Sequence, residues 1–170
     1  MLNRTANLLG AVGLAVADRI EKVALDVMNR AGETPAALIV IGSGTGPSND
    51  QLKRILGLSH PGTVRLVDRL EADGLVERRR GKDKRSIALF LTEKGHTARN
   101  ELLVGRLATI APLLSPLDEH EQDVLASLLH KLLAAIPDSD LDRCHLCRMC
   151  DNNVCTDCPI PADFRQGMTL

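Results

Sequence analysis

The sequence predicts a mainly α-helical protein with one small β-hairpin. Leu and Ala dominate 170 residues whose aromatics are Phe90 and Phe164, with no Trp and no Tyr, so aliphatic helix packing must fill the core. Helix caps and stops punctuate the chain, and the hydrophobic period changes from helical to strand-like only between residues 75 and 91. Hydrophobic residues at 44% and charged residues at 25% fit a soluble globular chain and exclude wholesale disorder. The shortage of aromatics also excludes single-strand binders that stack bases on aromatic rings.

A first helix spans roughly residues 3–30 and stops at Gly32. Its apolar stretch at 8–16, running into Ala15-Val16-Ala17, has the outline of a secretory leader. Gly10 and Gly13 interrupt that outline, and the helical pattern continues through Ile20, Val23, Ala24 and Val27, so a structural helix is expected. No run of about 18 apolar residues occurs, and no transmembrane helix is expected. Thr34-Pro35 reads as an N-cap followed by Pro at the first helical position, opening a short helix that ends before Gly42. Residues 43–47 form a Gly-rich linker. Ser48-Asn49-Asp50-Gln51 is a capping box, whose helix buries Leu52, Ile55 and Leu56 and closes at Gly57. Ser59 caps the next helix, with Leu66, Val67 and Leu70 as its apolar stripe and Gly74 as its stop. Residues 75–78 and 86–91 read as strands joined by a charged tip at 79–85. Thr92 caps a long helix to about residue 114, and Ser115-Pro116-Leu117-Asp118 opens another. Its apolar positions 124, 125, 128, 129, 132, 133 and 136 follow the helical period until Pro137. Residues 138–170 show no periodicity.

Two helices separated by Gly57-Leu58-Ser59 make a helix-turn-helix candidate. The whole chain has a formal charge of −1, yet residues 76–85 hold six bases against two acids, a local net of +4. A basic hairpin directly after a two-helix unit is a wing: the second helix reads base edges in the major groove while the hairpin reaches phosphates or the minor groove. The candidate DNA contacts are Ser59, His60, Thr63, Val64, Arg65 and Arg69 on the helix, and Arg78, Arg79, Arg80, Lys82, Asp83, Lys84 and Arg85 in the hairpin. Arg65 and Arg69 lie one turn apart, opposite the Leu66/Leu70 stripe. A competing reading pairs them with Asp68, Glu71 or Asp73 on a solvated face, where ion pairs are common and weak.

The run Leu58-Ser59-His60-Pro61-Gly62-Thr63-Val64-Arg65-Leu66-Val67-Asp68-Arg69-Leu70, continuing through Gly74-Leu75-Val76-Glu77-Arg78, resembles the MarR-family winged helix-turn-helix. So does Asp83-Lys84-Arg85-Ser86 with Leu91-Thr92-Glu93-Lys94-Gly95. The resemblance implies a homodimeric transcriptional regulator, a repressor, that reads a pseudo-palindrome in double-stranded DNA. Its division would be residues 1–42 as N-terminal dimerisation and connecting helices, 43–91 as the winged domain, 92–137 as C-terminal dimerisation helices, and 138–170 as a tail. Asp83 and Arg85 match the family's wing pattern, which implies Arg85 in the minor groove and Asp83 holding the hairpin in shape. Pro61-Gly62 departs from the family, many of whose members carry Ser or Thr there, so His60, Thr63 and Arg65 must supply more of the contact. Family members also change DNA affinity when a small effector binds between the dimerisation and winged regions.

All five cysteines, at 144, 147, 150, 155 and 158, fall in the last 27 residues. An odd number at Cys-x-x-Cys spacing is a poor disulfide framework and a good metal-ligand cluster, which argues for a reducing, cytoplasmic compartment. Cys144, Cys147, Cys155 and Cys158 form two knuckles suited to tetrahedral zinc, with Cys150 spare and His145 a substitute at best. Cys144-x-x-Cys147-x-x-Cys150 with Cys158-Pro159 also resembles a ferredoxin-type iron–sulfur run, although the spacing to the last cysteine is longer. A metal-free thiol switch is the third reading. One four-cysteine site per chain is expected, zinc or iron–sulfur, with Cys150 as the alternative ligand. His120 and His130 read as surface residues, His96 reads as a phosphate contact or as a residue without a role, and no convergent Ser/His/Asp or paired-carboxylate set supports an enzyme. A reading from another class, a metal-cluster redox carrier or oxidoreductase partner on a helical scaffold, has no use for a basic wing.

Overall fold

The computed structural model describes residues 2–43, 46–81, 87–151, 153–154 and 157–160. In chain order these form α1 (Leu2–Met28), α2 (Glu33–Ile41), α3 (Asn49–Leu56), α4 (His60–Ala72), β1 (Val76–Arg80), β2 (Ile87–Leu91), α5 (Glu93–Ile110), α6 (Glu119–Ala134) and α7 (Asp140–Leu146). The mainly α architecture with a single hairpin is the one the sequence predicts.

Local chemistry sets the helix-turn-helix. The Ser48 amide donates to Gln51 Oε1 at 2.8 Å and the Gln51 amide returns to Ser48 Oγ at 3.3 Å, starting α3. Gly57, at φ 67°, lets the chain turn out of α3, and the Leu58 amide then donates to the Lys53 carbonyl at 3.0 Å. Ser59 Oγ accepts the Gly62 amide at 3.2 Å and opens α4, with Pro61 in its first turn, where no amide is needed. β1 and β2 pair antiparallel, Val76 opposite Leu91 and Arg80 opposite Ile87. The linker joins this sheet: the Leu89 amide donates to the Pro47 carbonyl at 2.9 Å.

Leu52 and Ile55 of α3, Val67 and Leu70 of α4, and Leu89 of β2 are fully buried together with Leu38 and Ile41 of α2 and Leu102 of α5. Eight of the nine residues of α2 are buried, which explains why it is apolar on all sides rather than amphipathic.

The winged unit is locked to α5. Thr92 Oγ1 donates to the Gly74 carbonyl at 2.7 Å and Lys94 Nζ to the Asp73 carbonyl at 2.8 Å. A Cβ on Gly95 would lie 2.0 Å from the Leu75 carbonyl oxygen, a backbone atom that cannot move aside alone. Gly95→Ala is therefore expected to lower stability by at least about 1 kcal/mol, measured as a shifted urea midpoint at unchanged slope.

Several boundaries differ from expectation. α1 ends at Met28 because Asn29, at φ 51°, turns the chain before Gly32 is reached. α2 starts at Glu33 with Gly32 as its N-cap, and Thr34 is buried instead of capping. α5 stops at Ile110, and residues Ala111–Leu114 tighten into a 3-10 turn containing Pro112, which cannot donate to the preceding turn. α6 is capped by Asp118 with Glu121, not by Ser115, and ends at Ala134 before Pro137. The tail holds regular structure: Ser139 caps α7, and a 3-10 turn over Cys147–Met149 follows.

Two surfaces are left uncovered. α6 has no buried residue, and α1 buries Ala24 alone. No helix among the described residues is long and apolar enough to cross a membrane.

Candidate nucleic-acid interface and cysteine cluster

α4 presents the second-helix residues unevenly. Ser59, His60, Arg65 and Arg69 are exposed and Val64 is half-buried. Thr63 is a correction: it is fully buried, and its hydroxyl donates to the Ser59 carbonyl at 3.1 Å, so it packs the helix rather than facing a groove. His60 Nδ1 lies 3.5 Å from Asp50 at the start of α3. Arg65 leans back along its helix, Nε donating to the Pro61 carbonyl at 3.3 Å.

The carboxylates that could have neutralised Arg65 and Arg69 are engaged elsewhere. Asp68 and Glu71 both pair with Arg78, while Asp73 pairs with Arg30 at 3.0 Å. Among the described residues neither Arg65 nor Arg69 has a carboxylate partner. The solvated-pair reading of these two arginines thus lacks its partners.

Arg78, expected as a DNA contact, instead fastens β1 to α4 through those two carboxylates, its side chain only 25% exposed. Arg79 pairs with Glu77 and stacks over Phe90, 5.0 Å from the ring centroid. Arg80 is exposed at the end of β1. Lys82, Asp83, Lys84 and Arg85, expected at the wing tip, lie outside the described residues.

The tail brings cysteines together. Cys144 and Cys147 are buried, and Cys150 and Cys158 are half-buried, all four packed in or against the main core. Cys147 and Cys158 both direct their thiols at the Ile160 carbonyl, at 3.8 and 3.2 Å. A hydrogen bond from the Cys147 thiol holds Cys150 down to about 6, aided by the Arg106 guanidinium of α5 and opposed by burial. The same bond, with burial, pushes Cys147 up. Cys150, expected as the spare thiol, is thus in direct contact with Cys147. Cys155 lies outside the described residues. Among the described residues no group of three His, Cys, Asp or Glu stands at metal-coordinating spacing.

Sequence reasoning missed how this tail is fastened. His145 Nδ1 donates to the Ile55 carbonyl of α3 at 2.8 Å. Arg148 reaches Glu33 of α2 at 3.1 Å and donates to the His145 carbonyl at 2.7 Å. Asp151 faces Arg99 of α5, whose pKa burial lowers and Asp151 partly restores. Contacts between residues so far apart in the chain leave no local signature in the sequence; the nearest signal is that Leu141, Cys144 and Cys147 recur at helical spacing if cysteine counts as apolar.

A family model described as "MarR family" matches residues 28–86. The HTH-type transcriptional repressor MdtR of Bacillus subtilis is 35% identical over 125 residues, 71% of this chain and 81% of MdtR. The transcriptional repressor MprA of Escherichia coli is 36% identical over 93 residues, 54% of this chain and 53% of MprA. The chain thus spans about half the length of MprA. The crystal structure of Streptococcus pneumoniae FabT in complex with DNA shares the fold, with a TM-score of 0.66 at 23% identity over 78% of this chain and 95% of that one.

Proposed function

The chain belongs to the MarR family, whose members are transcriptional regulators and not enzymes, and from that premise we propose a dimeric repressor that binds a pseudo-palindromic operator in double-stranded DNA. The observation that carries the reading is the state of α4: Arg65 and Arg69 stand exposed on it, while the acids beside them are committed to Arg78 and Arg30. A recognition helix needs such free guanidinium groups, because Arg reads guanine O6 and N7 with two donors. MdtR and MprA are repressors by name, and FabT was crystallised on DNA, which supports the same role here. Selection of duplexes from a random pool tests it. Enriched inverted repeats, with affinity falling steeply as salt rises, are the expected result; a pool that yields no enriched sequence would overturn it.

Dimerisation is supported by the bare apolar faces of α1 and α6, and a 16-residue helix without a buried residue needs a partner surface. A cleft of about 590 Å³ among Met28, Arg30, Asp73, Leu75, Lys94 and Glu101, where α1, α5 and the end of α4 meet, offers room for a small effector.

The tail is the second control element in this reading. Cys144, Cys147, Cys155 and Cys158 would hold one zinc or iron–sulfur group, with Cys150 as the alternative ligand. The donor chemistry suits either group, since the Cys147 thiol bonds Cys150 and feels Cys144 and Cys158, with the cationic Arg106 beside Cys150. Such a group would supply a cross-link that orders a tail with few apolar residues of its own. Protein purified without oxygen is expected to contain about one metal site per chain, and Cys147→Ser and Cys158→Ser to lose it, by metal analysis and visible absorption. Retention in Cys150→Ser assigns Cys155 as the fourth ligand, and loss assigns Cys150. Metal-free wild-type protein would overturn the metal site and leave the thiol switch.

A further inference from the structure

The junction between the tail and the helix-turn-helix has no part in the function described so far. The last carbonyls of α3 lack partners within their own helix. Two are met locally, Lys53 by the Leu58 amide and Arg54 by the Gly57 amide. The next, Ile55, is met by His145 from the cysteine segment, ninety residues away, at 2.8 Å. His145 lies between Cys144 and Cys147, and Cys144 is buried in the same core cluster as Ile55. Arg148 then clamps the His145 carbonyl and ties it to Glu33 on α2. A side chain of the cysteine segment therefore completes the C-terminal cap of the first helix of the reading unit, one residue before the turn that leads into α4.

From this geometry we infer that His145 is a positioning residue for DNA recognition: its bond to Ile55 fixes the Leu56-Gly57-Leu58 turn and hence the angle at which α4 is offered to the groove. Of the tail's ties to the body, this bond is the one that meets the end of α3 directly. An ordered turn binds with less conformational entropy to lose, so breaking the bond weakens specific binding most, where the fit to base edges is strictest. The inference rests on the operator-binding reading and is independent of what the cysteines hold.

The test compares wild-type protein with His145→Ala, His145→Asn and His145→Gln. Asn places its amide nitrogen near the position of Nδ1 and can donate to Ile55; Gln places it too far out. Operator and random duplexes are titrated by fluorescence anisotropy, and amide exchange is followed at Leu58 and Ser59. Ala and Gln are expected to weaken operator binding by about three- to tenfold, with random-duplex affinity held within about twofold, while Asn restores the operator value. Exchange at Leu58 should quicken in Ala and Gln and recover in Asn. Equal losses on both duplexes, no loss on either, or Asn behaving like Gln would each overturn the inference. If Ala fails to fold, the Asn and Gln pair still decides. If no operator exists, the reading of the protein as a repressor fails on its own account, and the exchange rates still report whether His145 orders the turn.

Discussion

Arg65→Ala is expected to weaken operator binding by about 1–3 kcal/mol while leaving affinity for random duplex nearly unchanged. Arg65 is exposed in the first half of α4, and its only described bond is a single Nε contact to the Pro61 carbonyl, which leaves the terminal nitrogens for a base edge. Its helical neighbours Asp68 and Arg69 do not compete for it: Asp68 is occupied by Arg78, and Arg69 carries the same charge. Pro61 and Gly62 add no hydroxyl donors to this turn, and Thr63 is buried, so discrimination falls on few groups. Arg78→Ala offers the contrast. It removes the ties to Asp68 and Glu71 that hold the wing against α4, so it should lower affinity for all sequences together. Anisotropy titrations on operator and scrambled duplexes at one salt concentration separate the two patterns. Parallel losses for Arg65→Ala would make it a phosphate contact.

Capping chemistry is local, and it was the most legible part of the sequence. Ser48 with Gln51, Ser59 and Thr92 each cap the helix expected of them, because a side-chain oxygen three residues before an amide needs no tertiary context. The box formed by Asp118 and Glu121 was equally present in the sequence, but Ser115-Pro116 a few residues earlier offered a rival start. Thr63 could have been placed correctly by period alone, since 63, 66, 67 and 70 share one face; its hydroxyl suggested DNA and its position dictated core. Arg78 was not legible in this way. Which acid it meets depends on how β1 crosses α4, and that is decided by the fold, not by spacing. α7 has little signature in the sequence because it is seven residues long and its one buried residue is Cys144, which reads as a ligand rather than as apolar filler. The spacing of the cysteines marks them as a group, and Cys144, Cys147, Cys150 and Cys158 pack in or against one core. Which of them would be spare could not be read, because the Cys147–Cys150 bond follows from the 3-10 turn between them.

The largest effect is expected from the bare face of α6. Leu128→Asp with Leu132→Asp should convert the protein to a monomer and lower operator affinity by about 10²–10⁴-fold. Leu128 is 52% exposed and Leu132 49%, one turn apart on a stripe that continues through Val124 and Ile136. Apolar positions at this period on a helix with no buried residue form a face that a partner helix would cover. α1 offers a second apolar face with Leu8, Leu9 and Val12 exposed, so a two-fold partner could cover both faces in one isologous interface. Two winged units joined in this way would bind a pseudo-palindrome with the second contact made at high effective concentration, and a monomer would forfeit that gain without losing any contact of its own half-site. The winged core, from Leu38 to Leu89, shares no residue with this stripe, so the variant should keep its helix-turn-helix folded. Light scattering after gel filtration reads the mass, and anisotropy on full and half operators reads the affinity. Monomers that bind the full operator as tightly as wild type would break the link between dimerisation and recognition, and dimers that persist despite both aspartates would place the interface elsewhere.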